Sequence, residues 1–285
     1  MSDFTETQTT SVSTDGRRMR LAHGPIDMIL TAEGPAPARQ AAFDRARLAF
    51  LPVLDELAQE LPRLRAPTGP APTGSVAGRM TRAAALFAPR FVTPMAAVAG
   101  SIADHIREAV LVQGHGLTQL IANNGGDISL WLARGAVTAA ICDDPISGRS
   151  GGKISISARS GIGGVATSGW RGRSFSMGIA DAVTVLADRA ATADVAATLI
   201  ANAVDLPDHP GILRQPANEL SPDSDLGARL VTTDVAPLSV TDRAQAIERG
   251  YALAQEYIAH GLIRAAYLSL EETRAVAVEK EILHA

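Results

Sequence analysis

Residues 117–143, LTQLIANNGGDISLWLARGAVTAAICD, hold three short apolar segments, 117–122, 127–132 and 136–143, separated only by glycine-bearing turns. Gly125-Gly126 gives a tight reversal between the first two, and Arg134-Gly135 turns between the second and third. Connections this short join antiparallel neighbours, because a parallel pair needs a crossover of a dozen residues or more. The stretch therefore predicts an antiparallel sheet rather than a βαβ alternation. Outward from it, 153–158 (KISISA) alternates like a half-buried strand, 161–167 (GIGGVAT) begins another, and 182–187 is a β-branched run. Residues 18–31 read as two strands broken at Gly24-Pro25, an expected edge hairpin. Residues 262–268 read as a strand, with 270–285 continuing the sheet edge.

Helical spacing appears elsewhere. In 38–61, Ala42, Ala46, Ala49, Phe50, Val53, Leu54, Leu57 and Leu61 recur mostly at three- and four-residue steps, predicting one amphipathic helix kinked at Pro52. A shorter helix is expected over 76–88. Another is expected within 89–114, with Thr93-Pro94 as N-cap and first helical residue, and two more over 192–204 and 241–260. Residues 62–74, rich in Pro and Gly, and 144–152 (DPISGRSGG) read as exposed loops. The segment 205–240 also reads as loop, too long for a plain connection, and so as a cover or a flexible arm. Residues 1–17 lack periodicity and apolar content and are expected to form a disordered tail. The fold class that emerges is α+β, antiparallel or mixed sheets packed with helices. A single domain is expected over 18–285, with division into two subdomains left open.

Composition narrows the function classes. The chain has 285 residues, 46% of them hydrophobic, a net charge of −4 and scattered arginines. That length buries a sizeable core, and that charge gives no electrostatic footprint for nucleic acid. Only one cysteine is present, Cys142, so no intrachain disulfide forms and a reducing, cytoplasmic setting is expected. The N-terminal residues are polar, which excludes a signal peptide or membrane span there.

The chemistry concentrates in two places. Asn123-Asn124-Gly125-Gly126-Asp127 joins two strands, where side-chain amides and free backbone N–H groups can face a phosphate, a flavin ring or a ribose; the alternative is a plain Asn-Gly hairpin turn. The second place is 165–204. There Thr167, Ser168 and Gly169 end a strand, Trp170 can stack on a ring, and Arg171 and Arg173 can grip phosphate or simply solvate a loop. Asp194 and Thr198 sit four apart on one helix face, so carboxylate and hydroxyl can converge on a hard cation such as Mg2+; alternatively Asp194 caps its own helix. Asp181 is a second carboxylate near the same spot, or a turn residue. His23 and His105 read as surface or core histidines, His115 as a loop residue, and Trp131 and Cys142 as core.

As an ordered set, NNGGD at 123–127, ATSG at 166–169 and the Ala193–Thr198 segment ADVAAT resemble the ApbE superfamily, whose best-known members are FAD:protein FMN transferases. The wider text of 89–104, 123–128, 167–187 and 193–204 is most similar to a branch of ApbE-like proteins without an assigned reaction, and the resemblance covers residues 18–285. It implies a T-fold-related architecture, FAD or FMN as cofactor, and a nucleotide-facing role for Asn123 to Asp127 with Thr167, Ser168, Gly169 and Trp170 beside them. It also implies Mg2+ at Asp194 and Thr198, a small-molecule or nucleotide ligand and, with Asp181 as base, action on a small phosphorylated or nucleotide-like substrate. A homodimer is compatible with it. Two departures stand out. Flavin transferases follow the TSG segment with a His-His-Ile-x-Asp-Pro stretch, whereas this chain has no histidine between His115 and His209. They also carry Lys-Gly-Tyr before the Asn-Gly-Gly turn, whereas residues 94–104 hold no lysine. Flavinylation of a target threonine and non-catalytic flavin or nucleotide binding are therefore the alternatives.

Overall fold

The computed structural model describes residues 8–144 and 149–279. The side chains of Cys142, Asp144, Arg149 and Ser150 lie outside that description, as does the centre of the expected 144–152 loop. Thirteen strands and eight helices follow in order: β1 (Thr9–Val12), β2 (Arg18–His23), β3 (Ile26–Glu33), α1 (Ala36–Phe50), α2 (Val53–Gln59), α3 (Leu61–Leu64), α4 (Ser75–Ala85), a 3-10 turn (Pro94–Ala97), α5 (Val98–Val110), β4 (Gln119–Asn124), β5 (Asp127–Leu132), β6 (Ala136–Asp144), β7 (Arg149–Ser157), β8 (Gly164–Ser168), β9 (Ala182–Ala187), α6 (Ala190–Ala203), β10 (Ile212–Pro216), α7 (Ala217–Leu220), β11 (Leu230–Val235), α8 (Val240–Ala259), β12 (Ala265–Leu270) and β13 (Thr273–Val278).

Nine strands form one sheet in the order β1-β2-β3-β4-β5-β8-β9-β12-β13, and every neighbouring pair is antiparallel. The fold is α+β. Two successive units share one plan: β2-β3, helices, β4-β5, and then β8-β9, helices, β12-β13. Strict antiparallel order places the β2–β3, β4–β5, β8–β9 and β12–β13 connections at the same end of the sheet. The candidate turn at 125–126 and the loop 169–181 are two of these.

One face of the sheet packs against α1, α4, α5, α6 and α8 in the main core, which includes Leu21, Leu30, Phe50, Ile102, Ile106, Val183, Ile200 and Leu268. On the other face the β6–β7 hairpin covers the middle strands, and Ile156 joins Leu130, Leu132, Val165 and Leu186 in a second cluster. Covered on both faces, β9 is buried along its whole length, which is why AVTVLA reads as continuous apolar text instead of alternating.

Several expectations need correction. The disordered tail is overrun by β1, which pairs with β2 from Thr9↔Ala22 to Val12↔Met19 and takes the sheet edge from the expected hairpin. The 38–61 helix is two helices, because Leu51-Pro52 ends α1 and restarts the chain as α2. The 62–74 loop starts later, since α3 already holds Leu61–Leu64. Residues 149–152 belong to β7. The 205–240 segment holds the β10–β11 hairpin and α7.

Candidate functional site

The site forms where α5 and α6 cross beneath the β4–β5 turn. Their crossing is close because Gly100 has no side chain: a Cβ there would lie 2.6 Å from the Ala190 carbonyl carbon and nearer still to its oxygen. Each helix then receives a carboxylate from the other at its start, where the first N–H groups have no partner of their own. Asp104 of α5, fully buried, accepts from Ala190 N (3.3 Å) and Ala191 N (3.1 Å) and takes the Ser129 hydroxyl at 2.5 Å. In return Asp194 of α6 accepts from Gly100 N at 3.0 Å, with Ala99 N as a second donor. Asp194 thus caps a helix, as one reading allowed, but the helix is α5 rather than its own.

Along α6, residues 190–193, 195–197 and 199–201 are buried, while Asp194, Thr198 and Asn202 keep partial exposure. These three recur every fourth residue and form one polar stripe on an otherwise apolar helix. The β4–β5 turn faces the same region. Asn124 Nδ2 donates to Ala99 O at 3.2 Å, tying the turn to the start of α5, and the Asp127 carboxylate accepts from Thr167 N at 3.3 Å. Burial pushes the Asp127 carboxyl up to about 7. Burial, and then the proximity of Asp127, holds Asp194 well above the usual carboxylate range. The structure therefore brings Asn124, Asp127, Thr167 and Asp194 together.

The other expected residues have different employment. Gly126 N donates to Asn123 Oδ1 at 2.9 Å, so this amide is satisfied inside the turn rather than offered to a ligand. Thr167 shares a 2.9 Å hydroxyl contact with Thr184. Ser168 is half-buried at the end of β8, and Gly169 is held so tightly that a Cβ would run into the Asp181 carbonyl. Asp181, expected as a base, is satisfied twice: Arg171 Nε donates to it at 2.8 Å and Glu271 N at 2.5 Å. It pins the loop 169–181 to the β12–β13 turn. Arg171 also lies 4.4 Å over the Trp170 ring, whose buried indole N–H has no acceptor among the described residues.

Residues not singled out by their sequence also shape the site. Asp104 lay inside an unremarkable helical pattern. Asn202 accepts from Met177 N at 2.9 Å and Ser176 Oγ at 3.1 Å, fixing the far part of the loop; its spacing of four from Thr198 was the available signal. Thr93 and Pro94 stand, as expected, at the N-cap and first position, but of the 3-10 turn before α5, and the Thr93 hydroxyl donates to Asp225 rather than to the turn. No group of three or more His, Cys, Asp or Glu side chains able to hold a metal occurs among the described residues. No helix among them is long and apolar enough to cross a membrane.

The model of a protein family described as "AbpE bacteria" matches residues 10–278. The chain belongs to this AbpE family. This chain's sequence is shared in part by archaeal proteins: a UPF0280 protein of Methanopyrus kandleri is 44% identical over 130 residues, 45% of this chain and 48% of that one. A UPF0280 protein of Methanothrix thermoacetophila is 35% identical over 158 residues, 55% of this chain and 62% of the other. The chain thus spans about half the length of the curated relatives it matches. Among solved structures, the apo flavinyl transferase ApbE of Pseudomonas stutzeri aligns over 97% of this chain and 95% of its own, with a TM-score of 0.45 and 13% identity. The flavin transferase ApbE of Vibrio cholerae gives a TM-score of 0.37 and 12% identity, over 97% of this chain and 98% of its own.

Proposed function

We propose that this AbpE-family chain binds a flavin or another nucleotide together with Mg2+, and acts on a small phosphorylated or nucleotide-like substrate. The observation that carries the reading is the pair Asp127 and Asp194, two desolvated carboxylates, with the charge of Asp127 adding to the desolvation that raises the proton affinity of Asp194. A hard divalent cation relieves that repulsion. Mg2+ is commonly held by one or two carboxylates, with water and substrate phosphate oxygens completing its shell. Asp194 and Asp127 would hold the ion, with Thr198 four residues along α6 as the neutral oxygen donor. A bound Mg2+ would supply charge neutralisation to phosphate oxygens.

The chain's own groups hold this arrangement in place. Gly100 and Ala99 orient the Asp194 carboxylate, Asn124 fixes the turn that presents Asp127, and Arg173 of the loop 169–181 lies against Gly125 of that turn. Asp181 serves as an anchor for that loop. With no histidine in 169–181, the loop lacks the residues that flavin transferases place there, and this ranks transfer of FMN to a threonine below action on a free small molecule.

Titration of FAD and FMN fluorescence with the full chain, with and without Mg2+, tests the reading. Binding is expected to tighten at least tenfold with Mg2+ and to lose that dependence in D194N, whose amide oxygen still caps α5. Flavin binding indifferent to Mg2+ would leave only the non-catalytic binder, and failure to bind either flavin would remove both flavin readings.

A further inference from the structure

A phosphorylated ligand needs a cationic partner at this site. Within the β4–β5 turn, Gly126 N is spent on Asn123 Oδ1 and the Asn124 amide on Ala99 O. Asp127 and Asp194 repel anions. Of the two arginines in the loop 169–181, Arg171 is committed to Asp181 and to the Trp170 ring. Arg173 is different. It is exposed and makes no hydrogen bond or ion pair with any described residue. Its guanidinium nonetheless lies on the β4–β5 turn: the Cζ is 3.6 Å from the point a Gly125 Cβ would occupy, with Nη2 closer still. Gly125 is in the left-handed region at φ +66°, so its missing side chain serves the turn and leaves a seat for the guanidinium at once.

We infer that Arg173 is the specificity-determining residue of the site, recognising a phosphate group of the ligand over the Gly125-Gly126 turn and so selecting phosphorylated ligands over their unphosphorylated counterparts. This rests on the nucleotide-binding reading above. Arg173 already feels the neighbouring acids: its positive charge acts on Asp127 of the turn and on Asp27 of β3. Asp27 is claimed by Arg20, which donates to it at 2.8 Å through both Nε and Nη2, so it does not occupy Arg173. A planar guanidinium offers paired donors to a phosphate, whereas an ammonium offers a point charge. A phosphate held here would sit between a cation on the carboxylate pair and the Arg173 fork.

The test compares FMN with riboflavin, which differ only by the phosphate, on the full chain in Mg2+, for the native protein, R173Q and R173K. R173Q is expected to weaken FMN binding about tenfold while leaving riboflavin binding unchanged, with R173K intermediate. An FMN-to-riboflavin preference that is the same in R173Q and the native chain overturns the inference. If the native chain binds neither flavin, the flavin reading fails but Arg173 is still tested: inorganic pyrophosphate with Mg2+ should raise the native Tm and not that of R173Q. Equal shifts, or none in either protein, would overturn it. Arg173 is exposed, so unchanged far-UV circular dichroism is expected for both variants and separates loss of recognition from loss of fold.

Discussion

Asp127 makes the residue-scale physics measurable. The folded chain holds its proton up to about pH 7, whereas an unfolded aspartate releases it near 3.8. Between those values the folded state binds more protons, so this carboxyl favours folding at low pH and that contribution is lost as pH rises through 7. D127N is therefore expected to be more stable than the native chain at pH 8, by on the order of 1–2 kcal/mol or roughly 2–6 °C in Tm, with the gap closing as pH falls toward 4. Mg2+ should raise the native Tm more at pH 8 than at pH 5 and leave D127N unmoved. Thermal melts across pH check both, and a D127N stabilisation that is flat with pH would show that burial does not raise the Asp127 carboxyl. Asp127 and Asp194 could be picked out from sequence as chemistry-bearing residues. That the charge of Asp127 reaches Asp194 could not, because it depends on how α5 crosses α6.

The crossing itself is an element-scale feature, and Gly100 is its sharpest probe. An added methyl would meet backbone of α6, which has no flexible end to yield, so G100A should cost about 1–3 kcal/mol. Gly78 of α4 makes the contrasting control. Its Cβ would lie 3.3 Å from Arg82 Nη1, the tip of a flexible side chain, so G78A should gain about 0.5–1 kcal/mol from helix propensity. Denaturant midpoints for the two variants should move in opposite directions; equal movement would mean that Gly100 is not a packing residue. D104A should also destabilise, by about 1–3 kcal/mol, because the N–H groups of Ala190 and Ala191 would be left unpaired in the interior. Most of the elements were legible from periodicity and turns, as with α8 and the β4–β5 pair. The ones that escaped had broken texts. ILRQP and LVTTDV are short, interrupted by charge or proline and surrounded by Asp, Pro and Gly, so neither showed a period, and only their mutual pairing makes β10 and β11 strands. β1 escaped for the same reason, since TTSV carries no apolar alternation and exists by virtue of β2 beside it.

At the scale of the whole molecule, the segment between α6 and α8 joins parts of the chain that the sheet alone leaves separate. Its β10–β11 hairpin grips the loop 169–181: Thr232 N donates to Ser176 O at 2.8 Å, Thr232 Oγ1 to Gly178 O at 2.8 Å, and Arg214 bonds the Met177 carbonyl and Asp205. Farther along, Asp225 accepts the Thr93 hydroxyl and Arg229 lies 3.3 Å over the Phe91 ring, both on the segment that leads into α5. One strap therefore holds both the β8–β9 loop and the connection from α4 into α5. The sequence signalled only its length, because its clasps onto the loop 169–181 and onto Phe91 and Thr93 pair residues far apart in the chain. Cutting the Arg214 clasp should loosen the loop without touching the carboxylate pair. R214A leaves Asp205 unpaired in a half-buried setting and removes the donor to Met177, so faster limited proteolysis within 169–181 and 205–235 is expected, with global stability falling by about 1–3 kcal/mol. If the strap positions Arg173, FMN affinity in R214A should fall while the pH dependence of Tm set by Asp127 persists. A parallel loss of that pH dependence would show instead that the strap supports the α5–α6 crossing, and unchanged proteolysis would show that the clasp is decorative.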